Sequence, residues 1–167
     1  SRTGGAGKFI AWLDRFFVAE KPHLWKEIVL HLPYLYLYAG RPDLTDNRMH
    51  EMRTQHYRPE RHGLDDNEDM GCQSAFYMAS SLGIYPVMGQ AMYWLSTPAF
   101  SRSEIPLGET GRTLVLEAPA ADAGGRYIVS ASLNGKPLDR PWLRHSEIAQ
   151  GGVIHFDLSS KPSDWGT

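Results

Sequence analysis

The chain is poor in cysteine: Cys72 is the only one in 167 residues, so no disulfide can form within it and the fold is not a disulfide scaffold. Long apolar runs are also missing. None approaches the roughly 20 residues that cross a bilayer, so no membrane span is expected. Neither sign of charge dominates, with 17 Lys and Arg against 19 Asp and Glu and a net charge of −2. Without a basic stripe or an acidic tail, nucleic acid and membrane surfaces are excluded as expected partners. There is no HExxH, no pair of CxxC motifs, no Walker loop and no GxSxG. His50, His56 and His62 stand six apart, which does not place them on one helical face, so a zinc site is not expected. No signal peptide is visible and the first residue is Ser1, as a fragment of a longer protein would show; the compartment cannot be read from this.

What is present is ordinary globular material, 42% apolar and 22% charged, able to bury roughly two thirds of its unfolded surface. Aromatic residues reach 11%, with five Trp and eight Tyr. Such rings stack on sugar faces in carbohydrate enzymes, and they equally serve as core.

The chain changes character near residue 86. Phe9, Trp12, Leu13, Phe16 and Phe17 recur at helical spacing and predict a helix over Gly7 to Val18. A second is expected from Glu27 to Tyr38, kinked or started late by Pro33 and ended at Ala39-Gly40. A third is expected from Leu44 to Tyr57, with Asp43 as N-cap, and a fourth from Gly71 to Leu82, with Gly83 as C-cap. Beyond Pro86, Tyr93 to Leu95, Thr113 to Ala118, Tyr127 to Leu133 and Val153 to Leu158 read as strands, and Asn134-Gly135 signals a two-residue hairpin. The expected fold is therefore α+β: a helical part over 1–86, whose broad aromatic stripes want partners on more than one side, and an antiparallel β-domain over 87–167.

Between the third and fourth helices, Gly63-Leu64-Asp65-Asp66-Asn67-Glu68-Asp69-Met70-Gly71 crowds four carboxylates into five residues. Like charges this close repel unless solvated, metal-bound or sharing protons. A solvated acidic helix start, favoured by the helix dipole, is the alternative to a functional loop. The glycine and the final acidic residue of a calcium-binding EF-hand are missing.

Read with its surroundings, this loop resembles glycoside hydrolase family 92. Asn67-Glu68-Asp69-Met70-Gly71-Cys72-Gln73-Ser74-Ala75-Phe76-Tyr77, then Ser81-Leu82-Gly83-Ile84-Tyr85-Pro86-Val87, is similar to the family's acidic loop, helix and closing turn. Tyr34 through Gly40, Gly4-Gly5 with Leu13 through Phe17, Leu133 through Leu138, Trp142-Leu143-Arg144-His145, Gly151-Gly152 and Trp165-Gly166 follow in family order. The resemblance implies that the helices are the C-terminal part of an (α/α)6 toroid, followed by its β-region. It also implies an exo-acting, inverting, calcium-dependent α-mannosidase, periplasmic or extracellular, acting on terminal α-mannosides of glycans such as N-glycans. An inverting glycosidase needs a general acid and a general base about 6.5–9.5 Å apart. Carried over from the family, Asp69 is the general base, Asn67 its partner orienting water, and Glu68 the lower-ranked loop carboxylate. Glu27 aligns with a subsite glutamate near the calcium ion, and Lys26, His31 and Glu68 join it as substrate-binding candidates. The general acid lies in a family motif ahead of Ser1, so the N-terminal remainder of the enzyme is the implied partner, together with a mannose-containing glycan.

Three departures stand out. Trp25, Lys26 and Ile28 replace the neighbours of Glu27, Asp66 replaces a loop glycine, and Cys72-Gln73 replaces Gln-Met. Blander roles remain open: an N-cap for Asp69, a solvated helix start for Glu27, plain burial for His31 and Cys72, and core packing for Tyr34, Tyr36, Tyr38 and Trp142. The competing functional readings are a non-catalytic carbohydrate-binding or structural remnant, or another (α/α)6 hydrolase or phosphorylase.

Overall fold

The computed structural model describes residues 5–19, 28–65 and 67–167. Helix α1, Ala6–Ala19, buries Leu13 and Phe17 on one stripe, as its spacing predicts. The expected second helix is instead a 3₁₀ helix, Leu32–Ala39. Pro33 supplies no N–H and fixes φ, so it fits the first turn and not an interior. The tighter pitch buries Tyr34 and Tyr36 and leaves Tyr38 exposed. Gly40, left-handed at φ 68°, closes it. Helix α2, Pro42–Gln55, starts with Pro42 in the first turn; Asp43 lies inside that turn and pairs with Arg41 instead of capping the helix. Helix α3, Cys72–Leu82, ends at left-handed Gly83 as expected.

Eight strands follow: β1 Ile84–Pro86, β2 Met92–Leu95, β3 Arg102–Pro106, β4 Thr113–Glu117, β5 Tyr127–Leu133, β6 Lys136–Pro137, β7 Trp142–Arg144 and β8 Gly152–Ser159, with a short helix α4, His145–Ile148, before the last. They form a three-stranded sheet, β1-β2-β7, and a five-stranded one, β3-β4-β8-β5-β6. The β5–β6 turn is Asn134-Gly135, both at positive φ, as the hairpin signal requires. The expectation of a purely antiparallel β-domain needs correction. Strand β8 enters between β4 and β5, pairing antiparallel to β5 and parallel to β4 in the register Val115–Val153. A final strand that inserts between earlier ones leaves no local signal, because hairpin cues report only sequential neighbours.

The small sheet is a wall shared by two cores. Its period-2 alternation sends Tyr85, Trp94 and Trp142 to the helical side, and Ile84, Leu95 and Leu143 to the core of the large sheet. On the helical side Tyr34 stacks on Tyr85 at 4.8 Å and on Trp94 at 5.3 Å between centroids. Tyr34 and Tyr36 are therefore core, and the Tyr36 hydroxyl donates to Asp14 at 2.6 Å.

One buried carboxylate ties the two halves together. Asp46 of α2 is 3% exposed; its oxygens accept the backbone N–H groups of Thr97, at 2.7 Å, and of Ile128, at 3.0 Å. Burial pushes the Asp46 carboxyl up to about 7, against the pull of those donors and of Arg53 nearby.

Candidate active site

The acidic loop hangs between two fixed ends. At its start, Tyr57 bridges to Leu64, and the Arg58 N–H donates to the Gly63 carbonyl at 3.0 Å. Asp65 is held by His56 Nδ1 and, at 2.9 Å, by Arg58. Partial burial pushes the Asp65 carboxyl up, but the hydrogen bonds from His56 and Arg58 outweigh it and hold the carboxyl below its usual range. Asp65 is thus a structural clamp at the loop entrance. A β-carbon on Gly63 would stand 1.9 Å from the Arg58 carbonyl oxygen, so only glycine closes this turn. Replacing Gly63 with Ala is expected to cost about 1–3 kcal/mol by overpacking. Hydrogen exchange reads it directly, as lost protection at the Arg58 amide.

At its end, the loop enters α3 through three consecutive left-handed residues: Asp69 at φ 48°, Met70 at 59° and Gly71 at 88°. Two non-glycine residues in this region cost of order 1–3 kcal/mol each, strain that concentrates at functional sites. It is maintained by the hydrogen bonds around it. The Cys72 and Gln73 amides donate to the carbonyls of Asp69 (3.2 Å) and Glu68 (3.3 Å). The Glu68 carboxylate accepts the Ser74 amide at 3.0 Å, satisfying a free donor of the first turn of α3. Beneath the loop, the buried Gln73 side chain accepts the Tyr57 hydroxyl at 2.7 Å, and the Tyr57 ring packs on Phe76 and Tyr77.

Asn67 and Glu68 line a cavity of about 480 Å³ together with Arg58, Arg61, His62 and Ser74. Asp69 adjoins them in the chain, half-buried, while Met70 is fully exposed. His31 is exposed just ahead of the 3₁₀ helix and does not line this cavity, so it is not buried as one alternative had it. Lys26 and Glu27 lie outside the described residues, as do Trp25 and Asp66. Cys72 is half-buried and reduced. The clamp of His56 and Arg58 on Asp65 and the Tyr57–Gln73 pair were not foreseen; glycine beside a polar tract was their only trace in the sequence.

A model of the glycosyl hydrolase family 92 catalytic domain matches residues 1–160. The chain belongs to glycosyl hydrolase family 92. A curated relative, an uncharacterized secreted glycosidase of Arthroderma benhamiae, is 31% identical over 166 residues, 98% of this chain and 22% of the relative. Among solved structures, a family 92 α-mannosidase of Bacteroides thetaiotaomicron superposes with a TM-score of 0.86 at 26% identity, covering 95% of this chain and 22% of that one. A family 92 inverting mannosidase of the same organism superposes at 0.85 with 30% identity, covering 97% and 25%. The chain thus spans about a quarter or less of these relatives' length, and its α+β fold matches part of the family 92 structures.

Family 92 membership makes the chain part of a glycosidase fold, and Glu27, the candidate ligand for the calcium implied by the resemblance, lies outside the described residues. Among the described residues no group of three or more His, Cys, Asp or Glu converges to hold a metal ion.

Proposed function

We propose that this chain is the C-terminal part of an exo-acting, inverting, calcium-dependent α-mannosidase that hydrolyses terminal α-mannosides of glycans. Residues 1–86 form the end of its (α/α)6 toroid and residues 87–167 its β-region. The observation that carries the reading is the left-handed run at Asp69-Met70-Gly71, in a loop of family order whose preceding residues Asn67 and Glu68 line a cavity. Strain of this kind is retained where a side chain must be aimed.

In this reading Asp69 removes a proton from water as the water attacks the anomeric carbon. A general acid supplied by the N-terminal remainder protonates the leaving oxygen, so the configuration inverts. Asn67 holds the water or orients Asp69 and takes no proton. Glu68 accepts the Ser74 amide at the first turn of α3 and ranks below Asp69 as the base. Glu27, Lys26 and His31 are proposed substrate contacts, Glu27 also a calcium ligand. Secretion or a periplasmic location accords with the name of the fungal relative, and no described helix is long and apolar enough to cross a membrane.

The test is the anomer released from an aryl α-mannoside by the full-length enzyme, followed by proton NMR. β-Mannose is expected first. Release of α-mannose, or of mannose 1-phosphate when phosphate is supplied, sinks the reading. The isolated chain, lacking the acid, is expected to give no turnover.

A second reading has its own observation. Tyr38, Trp94 and Trp142, with Asp139, Arg140 and Gln90, line a cleft of about 620 Å³. Arg140 lies 4.5 Å from the Trp142 ring centroid. Aromatic faces beside planar polar groups suit a sugar, and a carbohydrate-binding role without catalysis would use this cleft. Saturable binding of mannose without hydrolysis by the full-length protein would favour it.

A further inference from the structure

A cavity of about 610 Å³ opens between α2, α3 and the loops at 97–100 and 121–126. His50, Arg53 and Arg126 line it, and among the described residues no Asp or Glu does. Arg53 is 9% exposed. Its Nη1 donates to the Ser80 carbonyl at 2.7 Å, and its other N–H groups have no partner among the described residues. Arg126 donates to Asn47, keeps Glu51 at 4.0 Å and has a buried Nε without a partner. The one carboxylate buried nearby, Asp46, has both oxygens occupied by the Thr97 and Ile128 amides. Asp46 attracts Arg53, and Arg126 is 32% exposed with Glu51 4.0 Å away, but the buried Arg126 Nε has no partner among the described residues, and forked guanidinium N–H groups match the oxygens of phosphate or carboxylate.

We propose that this cavity is an oxyanion site, separate from the acidic loop, in which Arg53, Arg126 and His50 bind a phosphate-class anion. The volume exceeds that of one oxyanion, and Tyr77 and Phe100 add ring surface to its wall, so the anion can be free or carried on a sugar. Burial, Arg126 and Arg53 hold His50 below its ordinary value, with Glu51 opposing. A bound anion reverses that pressure, so binding takes up a proton and strengthens as pH falls. Sulfate, which does not titrate there, removes the ligand's own ionisation from this dependence, to which Asp46 beside Arg53 also contributes as it ionises near 7.

The experiment is calorimetric titration of the full-length protein with inorganic phosphate, sulfate and glucose 6-phosphate, with ionic strength held by chloride. Saturable binding is expected, weakened at least about tenfold in both R126Q and H50Q. Glucose 6-phosphate binding about tenfold tighter than phosphate assigns the site to a phosphorylated sugar, and equal affinity assigns it to the free anion. Folding of each variant is checked by circular dichroism, and His50 provides a surface-accessible variant should R126Q not fold. No heat beyond the chloride control in folded wild-type protein, or unchanged affinity in folded H50Q, overturns the proposal.

Discussion

Replacing Asp46 with Ala is expected to destabilise the protein by about 2–6 kcal/mol, since each buried donor left unsatisfied costs about 1–3 kcal/mol. The Thr97 and Ile128 amides would lose their acceptor together, and with it the junction between α2, the segment after β2 and β5. Asp46→Asn keeps the volume and one acceptor but turns an amide N–H₂ toward the other donor, so an intermediate loss is expected. The pH dependence has a definite sign. The folded value of about 7 lies above the ordinary 3.8, so the folded state binds the extra proton. The contribution of this group is fully present below about pH 4 and is lost as pH rises through about 7. Melting or denaturant curves between those limits should fall with pH in the wild type and flatten in Asp46→Asn. A slope identical in the two proteins would show that Asp46 titrates normally.

Much of this architecture is legible from local chemistry. Leu13 and Phe17 mark the buried stripe of α1, Gly83 the end of α3, and Asn134-Gly135 the β5–β6 turn, because each acts within a few residues of itself. Pro33 announces a disturbance, but only packing against Tyr85 and Trp94 decides that the segment winds as a 3₁₀ helix. The insertion of β8 between β4 and β5 depends on pairing across the sheet and has no local mark. Strands β1, β3 and β7 are short, and β3 alternates among polar residues, so composition hides them. The same limit applies to chemistry. The acidic loop is contiguous and visible, whereas Asp46, Arg53 and Arg126 become neighbours only when α2 meets the β5 region. Nothing local in the sequence marks Asp46 or Arg53 as buried.

Replacing Asp69 with Ala in the full-length enzyme is expected to lower kcat by about 10²–10⁴-fold, the usual contribution of a positioned general base. Alanine also disturbs the backbone here, because Asp69 sits at φ 48° and alanine tolerates that region poorly. Asp69→Asn separates the two effects. Asparagine accepts left-handed conformations and matches the shape, while it cannot accept the proton. Similar losses in the two variants point to chemistry, and a loss confined to Asp69→Ala points to loop geometry. Glu68→Ala is expected to affect stability, by leaving the Ser74 amide without its acceptor, more than turnover.

The most direct test of Asp69 as the base is turnover of an aryl α-mannoside by full-length Asp69→Asn with and without azide. Azide attacks without needing a proton removed, so it replaces the missing base. The account predicts kcat depressed at least about 100-fold without azide, and partial recovery with it, giving β-mannosyl azide. Turnover within about threefold of wild type in the absence of azide would contradict it.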